Sequence, residues 1–160
     1  LKKSPYITYN CIRTANGCAV VTNGSHTDPI TEKIQMGLPP RDALSVSLLA
    51  MDYEKDSYST PRIAAVADLR DGKGWLGIIR KDGLLVCEVP MRAGTLSYVS
   101  TYEHNRPDAN FADPGFDAAS PGDACEYVLR KGLFAGFEHP VTAAAALATG
   151  KDFSFGAMNA

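Results

Sequence analysis

A carboxylate, a tyrosine, an arginine and one polar loop are where this chain can do chemistry. Glu54 follows an apolar stretch, and if the helix read there runs on to residue 54 it falls close in angle to Ser47 and Ala50, on a buried flank. Partial burial and the negative end of a helix dipole suit a carboxyl that exchanges protons, as general acid–base work requires. The competing reading is a solvated Glu in the run Glu54-Lys55-Asp56. Tyr9 shares a strand face with Ile7 and Cys11, as a core residue with its hydroxyl at the edge or as a donor to a ligand. Cys11 raises the question of a nucleophile, but no neighbouring His or amine in the sequence would generate its thiolate. The loop Asn23-Gly24-Ser25-His26-Thr27-Asp28 joins a strand end to a helix start. Backbone N–H groups at such a junction suit a polar or anionic ligand, and ordinary turn chemistry explains the same residues. Arg62 can meet a phosphate or form a surface ion pair. His139 precedes a proline at a predicted helix start, and His104 sits in an irregular loop. No Walker motif and no GxGxxG is present.

The elements that must position these residues follow from pattern. Tyr6–Arg13 reads as a strand, Asn16-Gly17 as a two-residue hairpin turn, and Cys18–Thr22 as the returning strand, a register in which Cys11 and Cys18 are not opposite. Asp28 is the expected cap of a short helix, Pro29–Met36, stopped by Gly37. A second helix runs from Pro39-Pro40 to Tyr53. Its Leu44, Val46, Leu48, Leu49, Met51 and Tyr53 surround the axis, which predicts burial on most sides. A meander follows, with strands Pro61–Leu69, Trp75–Arg80 and Leu84–Val89, then a strand Leu96–Glu103 and an irregular stretch to Ala119. Ser120 caps a helix with Pro121 in its first turn, ending near Lys131-Gly132. The Ala-rich segment Pro140–Thr149 reads as a last helix, and the final ten residues show no clear structure. About six strands and four helices in this order make an α+β fold rather than alternating βαβ units.

Composition sets the outer limits. The 160 residues suit one domain, 1–160, with a real core. Hydrophobic residues at 45% against 21% charged exclude disorder, and a net charge of −2 gives no general attraction to nucleic acid or anionic membrane. The longest apolar run, Ala143–Ala148, is far short of the roughly 20 residues of a membrane span. The N-terminus has no apolar core of a signal peptide. Cys11, Cys18, Cys87 and Cys125 show no metal-binding spacing and are expected as free, mostly buried thiols in the cytoplasm. Residue 1 is Leu, so a removed tag or a longer parent chain is expected.

The segments YNCIR (9–13), VTNGSHTD (21–28), SLLAMDYEKD (47–56), TPRIAA (60–65), YVSTYE (98–103) and FEHPVTAAAA (137–146) together resemble the archaeal-type inosine monophosphate (IMP) cyclohydrolases, in order and spacing. The resemblance covers nearly the whole chain. It implies a four-layered αββα sandwich of the N-terminal nucleophile hydrolase type. It implies closure of 5-formamidoimidazole-4-carboxamide ribonucleotide to IMP and water, with no metal or cofactor. It assigns chemistry to Tyr9 and Glu54, and nucleotide contacts to Asn10, Asn23, Gly24, Ser25 and Arg62, the last as a phosphate ligand. Family members carry a few dozen residues before the segment matching LKKSPYITYN, which supply early strands and an arginine reaching the site. An edge left open by their absence is expected to favour a homo-oligomer. The alternatives are a non-catalytic purine-nucleotide binder and an amidohydrolase using a nucleophile at Cys11.

Overall fold

The computed structural model describes residues 8–103, 105–107 and 112–160. The fold is α+β with antiparallel sheets. Five strands form one sheet in chain order: β1 (Ile12–Ala15), β2 (Cys18–Thr22), β3 (Arg62–Asp68), β4 (Lys73–Arg80) and β5 (Gly83–Pro90). Asn16 and Gly17 have φ of 49° and 74°, the left-handed pair that a two-residue turn needs, and they place Ala15 opposite Cys18. The meander strands of the sequence reading are all present, each within two residues of its expected ends.

Two helices, α1 (Thr27–Gln35) and α2 (Pro40–Met51), cover one face of this sheet. Period-two alternation explains the core they make. Cys18 and Val20 on β2, and Ala64 and Val66 on β3, point at Ile30 and Ile34 of α1 and Ala43 and Leu44 of α2. Gly77 on β4 leaves room for Leu48, whose Cδ1 would lie 2.9 Å from a β-carbon there. Burial of α2 is one-sided, contrary to its expected enclosure. Ala43, Leu44, Ser47 and Leu48 are buried, while Val46 is 48% and Leu49 67% exposed.

Three further elements make a second group. α3 (Pro121–Arg130) packs on a hairpin of β8 (Thr142–Thr149) and β9 (Asp152–Asn159). Ser120 caps α3 as expected, its Oγ accepting the Asp123 N–H at 3.1 Å. A short ladder pairs β6 (Leu96–Ser97) with β7 (Ala112–Asp113). A 3-10 turn, Gly132–Gly136, follows α3.

Here the sequence reading fails in an instructive way. The predicted Ala-rich helix is the strand β8, and the supposedly unstructured terminus is its partner β9. Thr149 faces Asp152 across the two-residue turn Gly150-Lys151, with Gly150 at φ 73°. Alanine favours helix in isolation, but a neighbouring strand that satisfies every other backbone group outweighs a propensity of a few tenths of a kcal/mol per residue.

Other boundaries move as well. The strand expected at Tyr6–Arg13 begins at Ile12; Tyr6 and Ile7 lie outside the described residues. The last backbone bond on this side among the described residues is Thr22 N–H to the Cys11 carbonyl at 3.1 Å, where β2 ends, leaving Tyr9 and Asn10 without a ladder partner. The strand Leu96–Glu103 shrinks to Leu96–Ser97. Helix α1 begins at Thr27 with His26 as its cap residue, so Asp28 lies in the first turn. Helix α2 stops at Met51. His104 lies outside the described residues.

No disulfide joins the four cysteines; Cys18 and Cys125 are buried, whereas Cys11 is exposed, contrary to expectation. Among the described residues no helix is long and apolar enough to cross a membrane.

Candidate active site

Three chain segments meet at the end of the sheet where β2 finishes and β3 starts. Asn23 is the pin. Its Oδ1 accepts the Ile63 N–H at 3.0 Å, and its Nδ2 donates to the Pro61 carbonyl at 3.0 Å and to Thr101 Oγ1 at 3.4 Å. One amide thereby ties β2, β3 and the segment 98–103 together. Next to it, the Thr22 and Thr27 hydroxyls lie 2.7 and 3.1 Å from the Gly24 carbonyl and 2.7 Å from each other. These bonds shape the start of α1 and hold Gly24 in a fixed place.

Gly24 is a site of close approach. A β-carbon there would lie 3.1 Å from Arg62 Nη1 and 3.2 Å from His26 Nδ1. The missing side chain lets the Arg62 guanidinium rest against the loop. Arg62 opens β3 and reaches back toward the end of α2. Its Nε donates to the Asp52 carbonyl at 2.8 Å and its Nη1 to Glu54 Oε1 at 3.0 Å. Both partners are largely shielded, with side-chain exposures of 11% for Arg62 and 24% for Glu54. Such a pair is less screened than a surface ion pair and has a fixed geometry.

Glu54 is not helical, so the condition on which helical phase would have buried it is not met. The helix ends at Met51, and Asp52 turns the chain with φ 56° and ψ 178°. Glu54 is instead held in a loop by its N–H on the Thr60 carbonyl at 2.9 Å. Asp56 closes that loop by accepting the Thr60 N–H at 2.9 Å and its hydroxyl at 2.6 Å. The loop therefore does the positioning that helical phase would have done.

Tyr9, Asn23, Gly24, Ser25, Glu54, Thr60 and Arg62 line a cavity of about 290 Å³. Five residue types needed for acid–base chemistry on a polar ligand thus converge: a phenol, a carboxylate, a guanidinium, a hydroxyl and an amide. Tyr9 is 39% exposed, and its hydroxyl makes no hydrogen bond to the described residues. The Ser25 hydroxyl is equally unengaged. A second cavity of about 550 Å³ lies on the other side of the Glu54–Arg62 pair, bordered by Met51, Tyr53, Lys55 and Asp56. A cavity of about 430 Å³ elsewhere, between the far face of the sheet and the chain after β5, is lined mostly by apolar groups such as Ala65, Leu76 and Val89. It lacks the converging polar groups that orient a ligand.

Six of the seven residues singled out in the sequence lie at this cavity. Asn10 does not line it: its Nδ2 donates to Asp28 Oδ1 at 3.0 Å, the same oxygen that receives Arg13 Nη1 at 3.0 Å. Cys11 and His139 are likewise absent from its lining. One contributor, Thr60, escaped the sequence reading, and another, His26, was read only as part of the polar loop. Thr60 lines the cavity, its place signalled only by Pro61, which fixes an extended residue before it. His26 is fully buried, with Nε2 2.8 Å from the Ile63 carbonyl. A carbonyl only accepts, so Nε2 carries the proton and Nδ1 is a bare acceptor, buried without a partner among the described residues. Burial, with the Arg62 charge adding to it, pushes the His26 pKa down to about 4.

Comparison with known proteins identifies relatives of the chain. The family model described as IMP cyclohydrolase-like protein matches residues 1–152. The IMP cyclohydrolase of Methanocella arvoryzae is 52% identical over 159 residues, covering 99% of this chain and 74% of that protein. The one from Halobacterium salinarum is 55% identical over 141 residues, covering 88% of this chain and 66% of the relative. That of Methanococcus aeolicus is 41% identical over 155 residues, covering 97% and 73%. The chain spans about two thirds to three quarters of the length of these relatives. On this match over nearly its whole length, the chain belongs to the IMP cyclohydrolase family.

Proposed function

We propose that this chain is an IMP cyclohydrolase, closing the purine ring of 5-formamidoimidazole-4-carboxamide ribonucleotide to give IMP and water. The observation that carries the reading is the shared cavity of Tyr9 and Glu54, with Arg62 fixed on the carboxylate. The carboxamide nitrogen is a weak nucleophile and must lose a proton as it bonds to the formyl carbon. Glu54 is the acceptor. The formyl oxygen takes up the electron pair of its C=O bond and must be stabilised, and the Tyr9 phenol donates to it. Loss of that oxygen as water completes the aromatic ring: the oxyanion takes a proton from Tyr9 and then, as it departs, the proton held on Glu54, while the former formamide nitrogen gives up its N–H proton, which restores the phenol. Both reacting groups belong to one molecule, so the rotamer imposed by the cavity walls supplies much of the acceleration.

Asn23, Gly24, Ser25 and Arg62 are assigned nucleotide contacts on the cavity wall, and Asn10 one at its approach. Arg62 spends its Nε hydrogen and one Nη1 hydrogen on Asp52 and Glu54, which leaves Nη2 and the second Nη1 hydrogen as donors to substrate. We read the helix-covered sheet and the α3-covered hairpin as the outer and inner layers of a four-layered αββα sandwich, a purine-biosynthetic domain of the cytoplasm. Exposed Val141 and Phe155 on the hairpin group support a homo-oligomer, which light scattering would test by mass in solution.

The deciding experiment follows the ultraviolet spectrum of the formamido ribonucleotide with the protein present, with the product identified as IMP by chromatography. Ring closure well above the buffer rate is expected. Nucleotide binding without closure, in the chain and in a form extended at its N-terminus, would instead establish a non-catalytic binder.

A further inference from the structure

We infer that Asp52 is a positioning residue for the Glu54–Arg62 pair, acting through its left-handed backbone rather than its carboxylate; this inference rests on the function proposed above. A φ of 56° with ψ near 180° belongs to a region that glycine occupies and L residues avoid. Such a conformation persists only where surrounding bonds hold it, and here they do. The Asp52 N–H closes the last turn of α2 on the Leu48 carbonyl at 2.9 Å. Its Oδ1 accepts the Tyr53 N–H at 2.8 Å, and its Oδ2 pairs with Lys55.

The reversal has one geometric product. It turns the Asp52 carbonyl out of the helix direction and onto Arg62 Nε at 2.8 Å, while Nη1 of the same planar guanidinium meets Glu54 two residues further on. Two bonds from adjacent nitrogens of a rigid fork fix its plane as one bond cannot. With φ near −60° instead, the carbonyl would continue along the helix and Arg62 would keep a single tether. The carboxylate of Asp52 does not touch the cavity: it faces Lys55, which lies 3.6 Å from the Tyr53 ring centroid.

The test compares Asp52→Ala with Asp52→Gly in the full chain. Alanine opposes the left-handed backbone, whereas glycine adopts it freely and lacks the carboxylate. Asp52→Ala is expected to lower kcat by about 10- to 100-fold, with KM within about threefold, since a shift of an ångström in a catalytic group has effects of this size. Asp52→Gly is expected to restore kcat to within about threefold of the parent. A role in stability alone would lower Tm in Asp52→Ala and leave kcat at low temperature intact, which would overturn the inference. So would a glycine variant as impaired as the alanine one. A readout independent of activity is the solvent exchange of the Arg62 Nε proton by NMR. It should be slow in the parent and Asp52→Gly and fast in Asp52→Ala; equal exchange in all three overturns the inference even where the parent chain proves not to be a cyclohydrolase.

Discussion

Arg62 Nη1 lies 3.0 Å from Oε1 of Glu54, joining the first residue of β3 to the loop that follows α2. Neither residue is near the other in the sheet or helix pattern; they meet because β3 starts beside the end of α2. The carboxylate that would take the substrate's proton is therefore placed by a cation that also faces the substrate.

Glu54→Gln keeps the shape and removes the proton acceptor. Turnover should fall by about 10²- to 10⁴-fold, the usual contribution of a general base. Titration calorimetry with IMP should still show binding within about tenfold of the parent. Unchanged turnover would take Glu54 out of the mechanism.

Gly24→Ala tests the close approach at the cavity floor. The new methyl would sit 3.1 Å from Arg62 Nη1 and 3.2 Å from His26 Nδ1. Since His26 is buried, the guanidinium must give way. Loss of kcat/KM by about tenfold or more is expected, equivalent to about 1.4 kcal/mol, with a smaller change in Tm. Steady-state kinetics and calorimetric melting on one preparation separate the two.

His26 makes stability depend on pH. Its folded pKa, about 4, lies below the ordinary value of 6.5 because burial disfavours the imidazolium. The unfolded chain therefore takes up the proton first. The contribution of the neutral ring is complete above pH 6.5 and is lost as pH falls toward about 4, by roughly 3 kcal/mol in all. His26→Gln can still donate to the Ile63 carbonyl and cannot titrate. Urea denaturation across this range should show a shallower loss of stability in the variant than in the parent.

The paired carboxylates add to the same acid limb, since Arg70 holds buried Asp68 below the ordinary carboxylate range. They are common to both proteins and cancel in the comparison.

The thiols divide by burial. Burial, with Asp68 beside it, pushes the Cys18 pKa up to about 11, and burial also raises that of Cys125. Cys11 is exposed. A disulfide reagent at about pH 8 should modify Cys11 in the native protein and reach Cys18 and Cys125 only in denaturant. Mass mapping of the labelled peptides reads the order.

The sheet was legible in the sequence because its signals are local. Asn16-Gly17 names its own turn, and the alternation in 61–89 names strands that pair with their immediate neighbours. The site was legible in its membership, through motifs whose residues do converge, but not in its construction. Helical phase could bury Glu54 only if the helix ran on to residue 54; a left-handed residue at 52 and a loop pinned by Asp56 shield it instead. No periodicity reports a φ of 56°. Nor did the pattern show that Tyr9 would precede its strand, since that depends on where β2 ends. The Ala-rich segment was misread because residues 140–149 were weighed by propensity alone, and their strand partner comes after them in the chain.

That hairpin gives residues 152–159 the status of a template. A chain stopped at Gly150 would retain every side chain of β8 and lose what makes it extended, and its six-residue run Ala143–Ala148 would be released to coil into the helix its composition favours. The surface beneath α3 would go with it, since the helix rests on both strands. The identity of one secondary-structure element is thus stored in another, and residues later in the chain decide what those before them become.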